Sequence, residues 1–538
     1  MKPVATITNL LWGAANVASY RRFSQALQEP ERVQQERLRT YLRANATSAF
    51  GRKYDFASIH DYETFAQRVP LMDYEDLEPW IVRICKGEAD VLTCERVTRL
   101  VPTSGSTGAR KLIPFTAGLQ GEFNAAVGPW LVDLLRQSSG IAGGPAYWSI
   151  TPVAGFEQET DSVVPVGFDT DTAYLGGTRQ RLANAVMAVP TALGKVSDIE
   201  CFRYLTLLCL LRERDLRLIS VWHPSFLTLL LEKKVTEWDD LLADIRKGTC
   251  KHGGRVPGEV IEALNLRPLP RRAAELAEMD ARKPELIWPE LKLISCWEDG
   301  AAGLAAAKLR SIFSQTWIQA KGLLATEACV TIPFGGQNPV AVESHFFEFM
   351  DDGGKILRVH ELQEGQTYEV IVTTAGGLWR YRLRDSVRVE GFVGRTPSLR
   401  FLGRSGNVSD LCGEKLAEAF VVQVLQKTLA GLEKRPDFVF LAPDTDDESN
   451  PHYTLYAEGN LPERFDAVIE QALRENPHYA YCRDLGQLKP LRVFQINERA
   501  EEKFFQRAVA KGARLGELKP MGFSKVTGWS EFFEGRYG

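Results

Sequence analysis

The chain has 538 residues, more than one hydrophobic core usually fills, so its length predicts two or more domains. Hydrophobic residues make up 44% and charged residues 25%, which is the balance of a globular protein and excludes a disordered or fibrous one. The formal charge is −4 and acids alternate with bases, so no basic stripe indicates nucleic acid or a membrane as a partner.

The cysteines and the apolar segments bear on the compartment. The nine cysteines are scattered and form no C-x-x-C pair, which predicts reduced thiols in the cytoplasm. The apolar stretch near the N-terminus is short, and only Lys2 precedes it, so no signal peptide is expected. The most apolar segment is broken by charges at 212–215, which favours a buried helix at 204–211 over a membrane span.

The predicted elements begin with helices between about residues 22 and 100, where Leu38, Tyr41 and Leu42 recur at helical spacing. From about residue 100 to 400, short apolar segments typical of strands alternate with helices. The clearest strands lie within 291–297, 316–324, 345–350 and 367–374. This alternation predicts α/β layers.

A stretch rich in Gly, Pro, Ser and Arg at 394–407 predicts a domain boundary, with a large domain at 1–402 and a small one at 403–538. A helix that starts at Pro462 and stops at Asn476-Pro477 is the best-marked element of the small domain, because its apolar residues share one face. These residues are Phe465, Val468, Ile469, Ala472 and Leu473. The other elements predicted there are a helix at 416–429 and strands at 438–442, 453–457 and 491–496. Together they predict a small α+β domain.

Small polar residues crowd the stretch VPTSGSTGARKLIPF, residues 101–115. Glycines let successive N–H groups converge on an anion, hydroxyls add donors and a lysine neutralises charge, so the stretch predicts a phosphate-binding loop. The candidate residues are Thr103, Ser104, Gly105, Ser106, Thr107, Gly108 and Lys111. Leu112 after Lys111 excludes a Walker A loop, and Ser104 stands where a nucleophile elbow needs glycine. A solvated Ser/Gly turn is the alternative.

Several segments between about residues 65 and 525 occur in a definite order. The first is PLMDYEDLEPWIVRICKGEADVLT, which leads into TSGSTGARKLIPFT. The later ones are KGLLATEACVTIP, VTTAGGLWRYRLRDSVRV, FLGRSGNVSDLCGEKLAE and KGARLGELKPMGF. In this order they resemble the GH3 family of acyl acid amido synthetases, which are adenylate-forming ligases. The resemblance implies an α/β fold, with a large N-terminal α/β domain of the firefly luciferase-like type and a smaller, mobile α+β C-terminal cap.

The resemblance implies nucleotide-binding roles for residues of the middle segments. Thr326 and Glu327 match the end of the second ATP element, whose glutamate is expected to hold Mg²⁺ through its oxygens. Leu323 stands where many relatives carry a tyrosine against adenine. Asp385 matches an aspartate that accepts hydrogen bonds from both ribose hydroxyls. Taken alone, Asp385 would more often be a strand-end or turn residue paired with Arg382 or Arg384.

The last two segments resemble the hinge and the C-terminal loop of the superfamily. Arg404 matches a residue near ribose and phosphate, and the hinge itself is expected around residues 405–407. Lys415 and Lys519 match lysines that act near the nucleotide and at the reacting centre, and they are the two catalytic candidates. For both lysines a solvated surface charge is the alternative.

The implied function is an ATP-dependent ligase that adenylates a small carboxylic acid and passes the acyl group to an amine such as an amino acid, with ATP and Mg²⁺ as cofactors. An acyl-CoA or acyl-carrier thioester ligase is the first alternative, although no basic patch suited to the CoA 3′-phosphate stands out. A non-catalytic nucleotide- or acid-binding protein is the second, and the joint presence of Lys111, Glu327 and Asp385 argues against it. No obligate protein partner is implied.

Histidines and aromatic residues add little to this interpretation. No H-E-x-x-H motif occurs, and His223 is expected in a turn or in the core. Most tryptophans are expected to pack, but Phe123, Trp130 and Trp148 are candidates for lining an apolar acid pocket. Neither the acid nor the amine is identified by the sequence.

Overall fold

A computed structural model describes residues 3–103, 111–150, 162–167, 177–300, 302–404, 408–445, 451–510 and 522–538. Its helices are α1 Pro3–Ala26, α2 Pro30–Ala44, α3 Ala49–Lys53, α4 Tyr62–Arg68, α5 Tyr74–Cys85, α6 Ala117–Gln137, α7 Gly177–Val186, α8 Ile199–Arg212, α9 Pro224–Thr236, α10 Trp238–Lys247, α11 Gly258–Leu264, α12 Pro270–Ala277, α13 Pro284–Ile287, α14 Ala302–Ile312, α15 Glu418–Ala430, α16 Phe465–Leu473, α17 Pro477–Asp484 and α18 Ala500–Ala510. Its strands are β1 Arg99–Pro102, β2 Leu112–Phe115, β3 Ala146–Trp148, β4 Leu218–Ser220, β5 Leu293–Cys296, β6 Trp317–Ala320, β7 Phe346–Met350, β8 Ile356–Arg358, β9 Thr367–Thr373, β10 Tyr381–Val393, β11 Thr396–Arg404, β12 Val408–Ser409, β13 Leu416–Ala417, β14 Phe438–Thr445, β15 Pro451–Glu458, β16 Arg492–Ile496 and β17 Gly535–Tyr537.

The chain forms two compact units. The larger unit comprises Met1–Trp297, Ala306–Leu383 and Arg388–Arg400. The smaller unit comprises Glu298–Ala305, Arg384–Val387 and Phe401–Gly538. The strands expected within 291–297, 316–324, 345–350 and 367–374 are observed as β5, β6, β7 and β9.

A parallel sheet in the order β3-β4-β5-β6 organises the first half of the larger unit. One face of this sheet packs on α8, and Ile219 and Ile294 point into that shared core. Helix α8 starts where the Asp198 side chain accepts hydrogen bonds from the backbone N–H groups of Glu200 and Cys201. Its residues from Cys201 to Leu211 are all buried, which confirms the predicted buried helix.

No helix within the described parts of the chain combines the length and the apolar character that crossing a membrane requires.

A second sheet of the larger unit has the order β11-β10-β9-β7-β8. Strand β7 runs antiparallel to both β8 and β9. Helix α2 is fixed to this region by Gln34, whose amide group donates to the carbonyl oxygens of Val342 and His345, each at 2.7 Å, and accepts from the N–H group of Phe347 at 2.8 Å. The N-terminal helices therefore support the segment that leads into β7.

The smaller unit is α+β, as predicted. Its sheet has the order β14-β15-β16-β17, and the pair β15-β16 is parallel while the outer pairs are antiparallel. Helices α15 and α16 cover this sheet through a common apolar core. Strands 438–442, 453–457 and 491–496 and the helix at 416–429 are each observed within a few residues of their predicted bounds.

The helix predicted from Pro462 differs from the prediction in two details. It begins at Phe465, and Val468 is 49% exposed, so Val468 does not belong to the buried face. Asn476 does end this helix region, but its side chain also accepts hydrogen bonds from the N–H groups of His478 and Tyr479. Asn476 therefore caps a further helix, α17, which the sequence analysis missed.

Candidate active site

The glycine-rich stretch connects the two strands of the hairpin β1-β2. These strands are antiparallel, with Pro102 opposite Leu112, and the next N–H group, that of Thr103, donates to the carbonyl oxygen of Lys111 at 2.9 Å. The structure thus brings Thr103 and Lys111 together at the end of the hairpin. Ser104, Gly105, Ser106, Thr107 and Gly108 lie outside the described residues.

Lys111 lies over the ring of Tyr74, with its Nζ 5.4 Å from the ring centroid. The Tyr74 hydroxyl accepts the N–H group of Leu112 at 2.9 Å, so helix α5 holds the hairpin from one side. Burial raises the pKa of Tyr74, which keeps this phenol neutral. Among the described residues, no carboxylate forms an ion pair with Lys111.

Thr326 and Glu327 occupy the tip of a tight turn. The N–H group of Ala325 donates to the carbonyl oxygen of Ala328 at 2.9 Å, and Leu324 faces Cys329 in an antiparallel bridge. Glu327 is 7% exposed, and Thr326 is partly exposed. A carboxylate and a hydroxyl on adjacent turn residues are oxygen donors, which is the donor type that Mg²⁺ requires.

A buried hydrogen-bond network holds the base of this turn. The N–H group of Cys329 donates to Nε2 of His345 at 3.0 Å, so the hydrogen on this imidazole lies at Nδ1, which donates to Glu122 at 3.0 Å. Glu122 also accepts from the hydroxyl of Tyr41 and, at 3.1 and 3.2 Å, from the N–H group of Ala375. One carboxylate thereby links the turn to the segment that precedes β10.

Neither Glu122 nor His345 was predicted from the sequence. Glu122 stands on the buried face of α6 between Leu119 and Phe123, and His345 immediately precedes β7. An acid on an apolar helix face indicates a buried partner, because an unpaired buried carboxylate is costly. The position of Glu122 on an apolar helix face was therefore visible in the sequence, but this position does not identify His345 as its partner.

Asp385 and Arg404 meet in the smaller unit. Asp385 lies on β10, Arg404 ends the neighbouring strand β11, and Asp385 Oδ1 is 3.6 Å from Arg404 Nε. The Asp385 side chain is 8% exposed and that of Arg404 is 42% exposed. Arg382, which the sequence suggested as a partner of Asp385, instead binds Glu369, with Nε 2.7 Å from Oε1. Asp385 and Arg404, which were both predicted to lie near the ribose of a nucleotide, are thus adjacent.

Lys415 precedes the short strand β13 and adopts a left-handed backbone with φ 45°. Its neighbour Glu414 is fully buried and accepts hydrogen bonds from the N–H groups of Leu411 and Cys412. Lys415 itself is exposed, and no carboxylate in the described ranges forms an ion pair with it. Lys519 and the hinge residues 405–407 lie outside the described residues.

The candidate residues are therefore distributed over both units. Thr103, Lys111, Thr326 and Glu327 belong to the larger unit, while Asp385, Arg404 and Lys415 belong to the smaller one. Leu323, at the position expected to face adenine, is 8% exposed, and its N–H group donates to Thr331 Oγ1 at 2.7 Å.

The fold is that of an acyl acid amido synthetase. The structure of the AtGH3.15 acyl acid amido synthetase in complex with 2,4-DB matches it with a TM-score of 0.85, covering 96% of this chain and 95% of that one at 20% sequence identity. Three family models match the sequence: the GH3 family N-terminal domain at 19–318, the central domain at 339–404 and the C-terminal domain at 419–526. The chain belongs to the GH3 family.

Two curated relatives are similar over nearly their whole length. The probable indole-3-acetic acid-amido synthetase GH3.12 of Oryza sativa subsp. japonica is 25% identical, over 92% of each chain. The indole-3-acetic acid-amido synthetase GH3.10 of Arabidopsis thaliana is 26% identical, over 91% of each chain.

Proposed function

We propose that this protein is an ATP-dependent ligase that adenylates a small carboxylic acid and transfers the acyl group to an amino acid, forming an amide. The observation that carries the proposal is the match of all three GH3 domain models, in order, from residue 19 to 526. The curated relatives named above are acid-amido synthetases. The chemistry of the site residues supports the same reaction.

The first step joins two anions, because the acid carboxylate attacks the α-phosphate of ATP. Fixed positive charge and N–H donors must offset their repulsion. Lys111 and the loop 104–108 supply these groups at the end of the β1-β2 hairpin. Glu327, with Thr326, is the candidate ligand of Mg²⁺, which when bound supplies positive charge to the phosphates. Pyrophosphate leaves, and the acid becomes an acyl adenylate.

Asp385 and Arg404 suit the nucleoside part of ATP. A carboxylate accepts hydrogen bonds from both hydroxyls of a ribose, and the guanidinium 3.6 Å away orients that carboxylate. Arg404 is 42% exposed, so its guanidinium is accessible to a phosphate oxygen.

The second step needs a different arrangement, since an amine must reach the acyl carbon while water is excluded. A cap formed by residues 403–538, rotating about 405–407 against a main domain at 1–402, meets this need. In this proposal, Lys415 or Lys519 approaches the nucleotide in one step and withdraws in the other. Proton transfer from the amine and release of AMP complete the reaction.

Replacement of Lys519 by alanine is expected to slow acyl adenylate formation at least tenfold more than amide formation from a supplied acyl adenylate. The reason is that its ammonium offsets charge only while the phosphates react. Single-turnover assays of the two half-reactions measure both rates. Lys503→Ala is the matched control, since Lys503 pairs with Glu534 at 3.2 Å on the surface of the same unit. Equal losses in both half-reactions would exclude this role for Lys519.

Replacement of Glu122 by glutamine is expected to raise the Mg²⁺ concentration for half-maximal AMP formation about tenfold. An amide cannot accept all three hydrogen bonds that Glu122 receives, so the turn that carries Glu327 shifts, and such supporting contacts typically alter metal affinity 10- to 100-fold. Asp133→Asn on the same helix is the control. Asp133 accepts the N–H group of Gly335 at 3.0 Å and is equally buried, but it does not touch the turn. An unchanged Mg²⁺ requirement in Glu122→Gln would contradict the positioning role.

The test of the function is AMP release from ATP and Mg²⁺ with a panel of carboxylic acids. Release that depends on an amino acid, together with an amide detected by mass spectrometry, supports the proposal. Release that depends on CoA would indicate a thioester ligase, and ATP binding without turnover would indicate a non-catalytic protein.

We also infer a cytoplasmic location, which the nine cysteines support because all are free thiols.

A further inference from the structure

Helix α1 presents a continuous apolar face to solvent. No residue between Pro3 and Tyr20 carries a charge. Over this stretch the exposed positions are all apolar, and with 3.6 residues per turn they form one arc of about 140° around the helix. They are Val4, Ile7, Leu10, Leu11, Ala14, Ala15 and Ala18. We call this arc the α1 outer face.

The buried face of α1 includes its polar residues. Thr8 and Ser19 are each 8% exposed and Asn16 is 2% exposed, whereas Leu11 on the α1 outer face is 59% exposed and Val4 is 69% exposed. An ordinary surface helix has the opposite distribution, with its apolar stripe on the core and its polar residues in water. Because burial of apolar area is favourable, this distribution indicates that the α1 outer face is covered by a further surface.

The position of α1 on the larger unit is fixed. The Asn9 side chain donates to the carbonyl oxygens of Ala142 and Gly144, at 3.2 and 3.0 Å. At Gly13 the helix touches α6 so closely that a Cβ there would lie 2.6 Å from Leu135 Cδ1. The helix therefore cannot rotate to bury its outer face without losing these contacts.

The centre of the α1 outer face has the residue spacing of paired helices. Val4, Ile7, Leu11, Ala14 and Ala18 follow one another in alternating steps of three and four. This heptad spacing keeps one row of side chains in contact with a second helix. The bulky residues occupy the N-terminal half of the row, and alanines occupy the C-terminal half.

Two copies of this face are complementary when the helices run antiparallel. A single twofold axis then brings bulky and small residues together in three pairs across the interface, which are Leu11 with Ala14, Ile7 with Ala18, and Leu10 with Ala15. Each bulky side chain meets an alanine, so the two helices can approach closely without leaving a void. In a parallel pair, each residue would face its own copy, and gaps would remain between the alanines.

The ends of the antiparallel pair are also compatible. The same axis places Val4 opposite Arg21 of the partner subunit, and Arg21 is exposed. The aliphatic stem of an arginine can cover an apolar side chain while its guanidinium stays in water. A helix that binds a membrane surface carries lysines or arginines along its apolar face, whereas the α1 outer face has none before Arg21. A second copy of the chain therefore fits this face better than a membrane does.

We propose that α1 pairs antiparallel with α1 of a second copy of this chain, through their outer faces, and that the protein is a homodimer. Such an interface uses the same patch on both subunits and closes on itself, so it forms dimers and not fibres. The two faces would bury roughly 1,000 Å² in total, near the lower bound for a specific interface, which predicts a Kd of about 1–10 μM. The inference does not depend on the proposed function.

Sedimentation velocity of the full-length chain over about 0.1–100 μM tests the proposal, because this range brackets the expected Kd. The mass is expected to rise with concentration from the chain mass of 60.2 kDa to twice that value. Leu11→Glu is expected to raise the dimer Kd at least about 100-fold, because it places an unpaired carboxylate in the apolar interface. Leu485→Glu is the matched control, since Leu485 is 54% exposed in the smaller unit, and its Kd should equal that of the wild type.

A paired exchange tests the antiparallel arrangement itself. Ile7→Ala should weaken the dimer by leaving a gap, and Ala18→Ile should weaken it by steric overlap, each by about tenfold. The double variant Ile7→Ala with Ala18→Ile should return to within about threefold of the wild-type Kd, because each isoleucine again faces an alanine. Ile7→Ala with Ala14→Ile is the mismatched control and should not recover, since its isoleucine faces Leu11.

Unchanged circular dichroism shows that each variant is folded. A wild type that stays monomeric at the highest concentration would overturn the inference, and so would a dimer that Leu11→Glu leaves intact. Monomeric wild type that cosediments with vesicles of phosphatidylcholine and phosphatidylglycerol would assign the face to a membrane instead. If both single exchanges weakened the dimer and the double variant did not recover, the antiparallel pairing would be wrong.

Discussion

Glu327→Gln is expected to lower acid-dependent AMP formation by about 100- to 1000-fold, the usual cost of losing one interaction that stabilises developing charge, here that of the Mg²⁺ which Glu327 is proposed to hold. The substitution keeps the shape of the side chain and the two-residue turn at 326–327, but a neutral amide is a poor ligand for Mg²⁺. Steady-state kcat/KM for ATP, measured across a range of Mg²⁺ concentrations, records the loss. We expect only partial recovery at high Mg²⁺, because an amide both binds the ion more weakly and holds it in a different position relative to the phosphates.

The control for this variant is Glu343→Gln. Glu343 is partly buried, which raises its pKa, and its carboxylate lies 3.9 Å from Nε of Arg22 on α1. It should retain most of the wild-type activity. If Glu327→Gln kept more than a third of that activity at saturating Mg²⁺, the assignment of Glu327 as the metal ligand would be wrong.

Glu348→Gln is expected to destabilise the larger unit by about 3–5 kcal/mol, because it leaves a buried guanidinium without its counter-charge. Glu348 on β7 is 1% exposed and Arg380 is 4% exposed, and Arg380 Nη2 lies 2.7 Å from Glu348 Oε1. The same guanidinium donates to the carbonyl oxygens of Ala66 and Val69, each at 2.8 Å. Arg380 therefore cannot become solvated without losing the hydrogen bonds that join helix α4 and the residue after it to the sheet. Urea unfolding followed by tryptophan fluorescence measures the change.

Two further variants separate charge from packing. Glu361→Gln removes a carboxylate from the more exposed pair with Arg358 and should cost less than about 1 kcal/mol. The double variant Glu348→Leu with Arg380→Met should recover most of the lost stability, because apolar pairs of similar volume often replace buried ion pairs without loss. If Glu348→Gln unfolded at the wild-type urea concentration, the pair would contribute nothing, and its role would be limited to orienting Arg380.

Local patterns predicted much of the fold. The apolar, β-branched run at 367–374 and its polar boundaries were sufficient to predict β9, and the continuous apolar run after Tyr204 was sufficient to predict a buried α8. Both predictions depend only on residues that are close together in the sequence. Val468 was assigned to the buried face but is 49% exposed, because the buried residues of α16 are Phe465, Ile469 and Leu473, four apart, and Val468 lies beyond the edge of that stripe.

The candidate site was only partly predictable, for a physical reason. Asp385 and Arg404 came from local motifs, and their adjacency depends on two neighbouring strands. The contact between Glu122 and His345, by contrast, joins residues 223 positions apart, and the bond between Trp130 and Gln319 joins residues 189 apart. No local pattern encodes such pairs, since they exist only once α6 has packed on both sheets.

The bond between Thr103 and Lys111 has a consequence for engineering. Because β1 and β2 are already joined at this point, extra residues inserted between 103 and 111 need not alter either strand. Doubling the length of a flexible loop costs only about 0.6 kcal/mol of closure entropy. A chain lengthened there by a few glycines is therefore expected to keep its native architecture. If the stretch binds ATP as proposed, its donors would then have the wrong spacing, and the lengthened chain would be an inactive reference protein that differs in one loop.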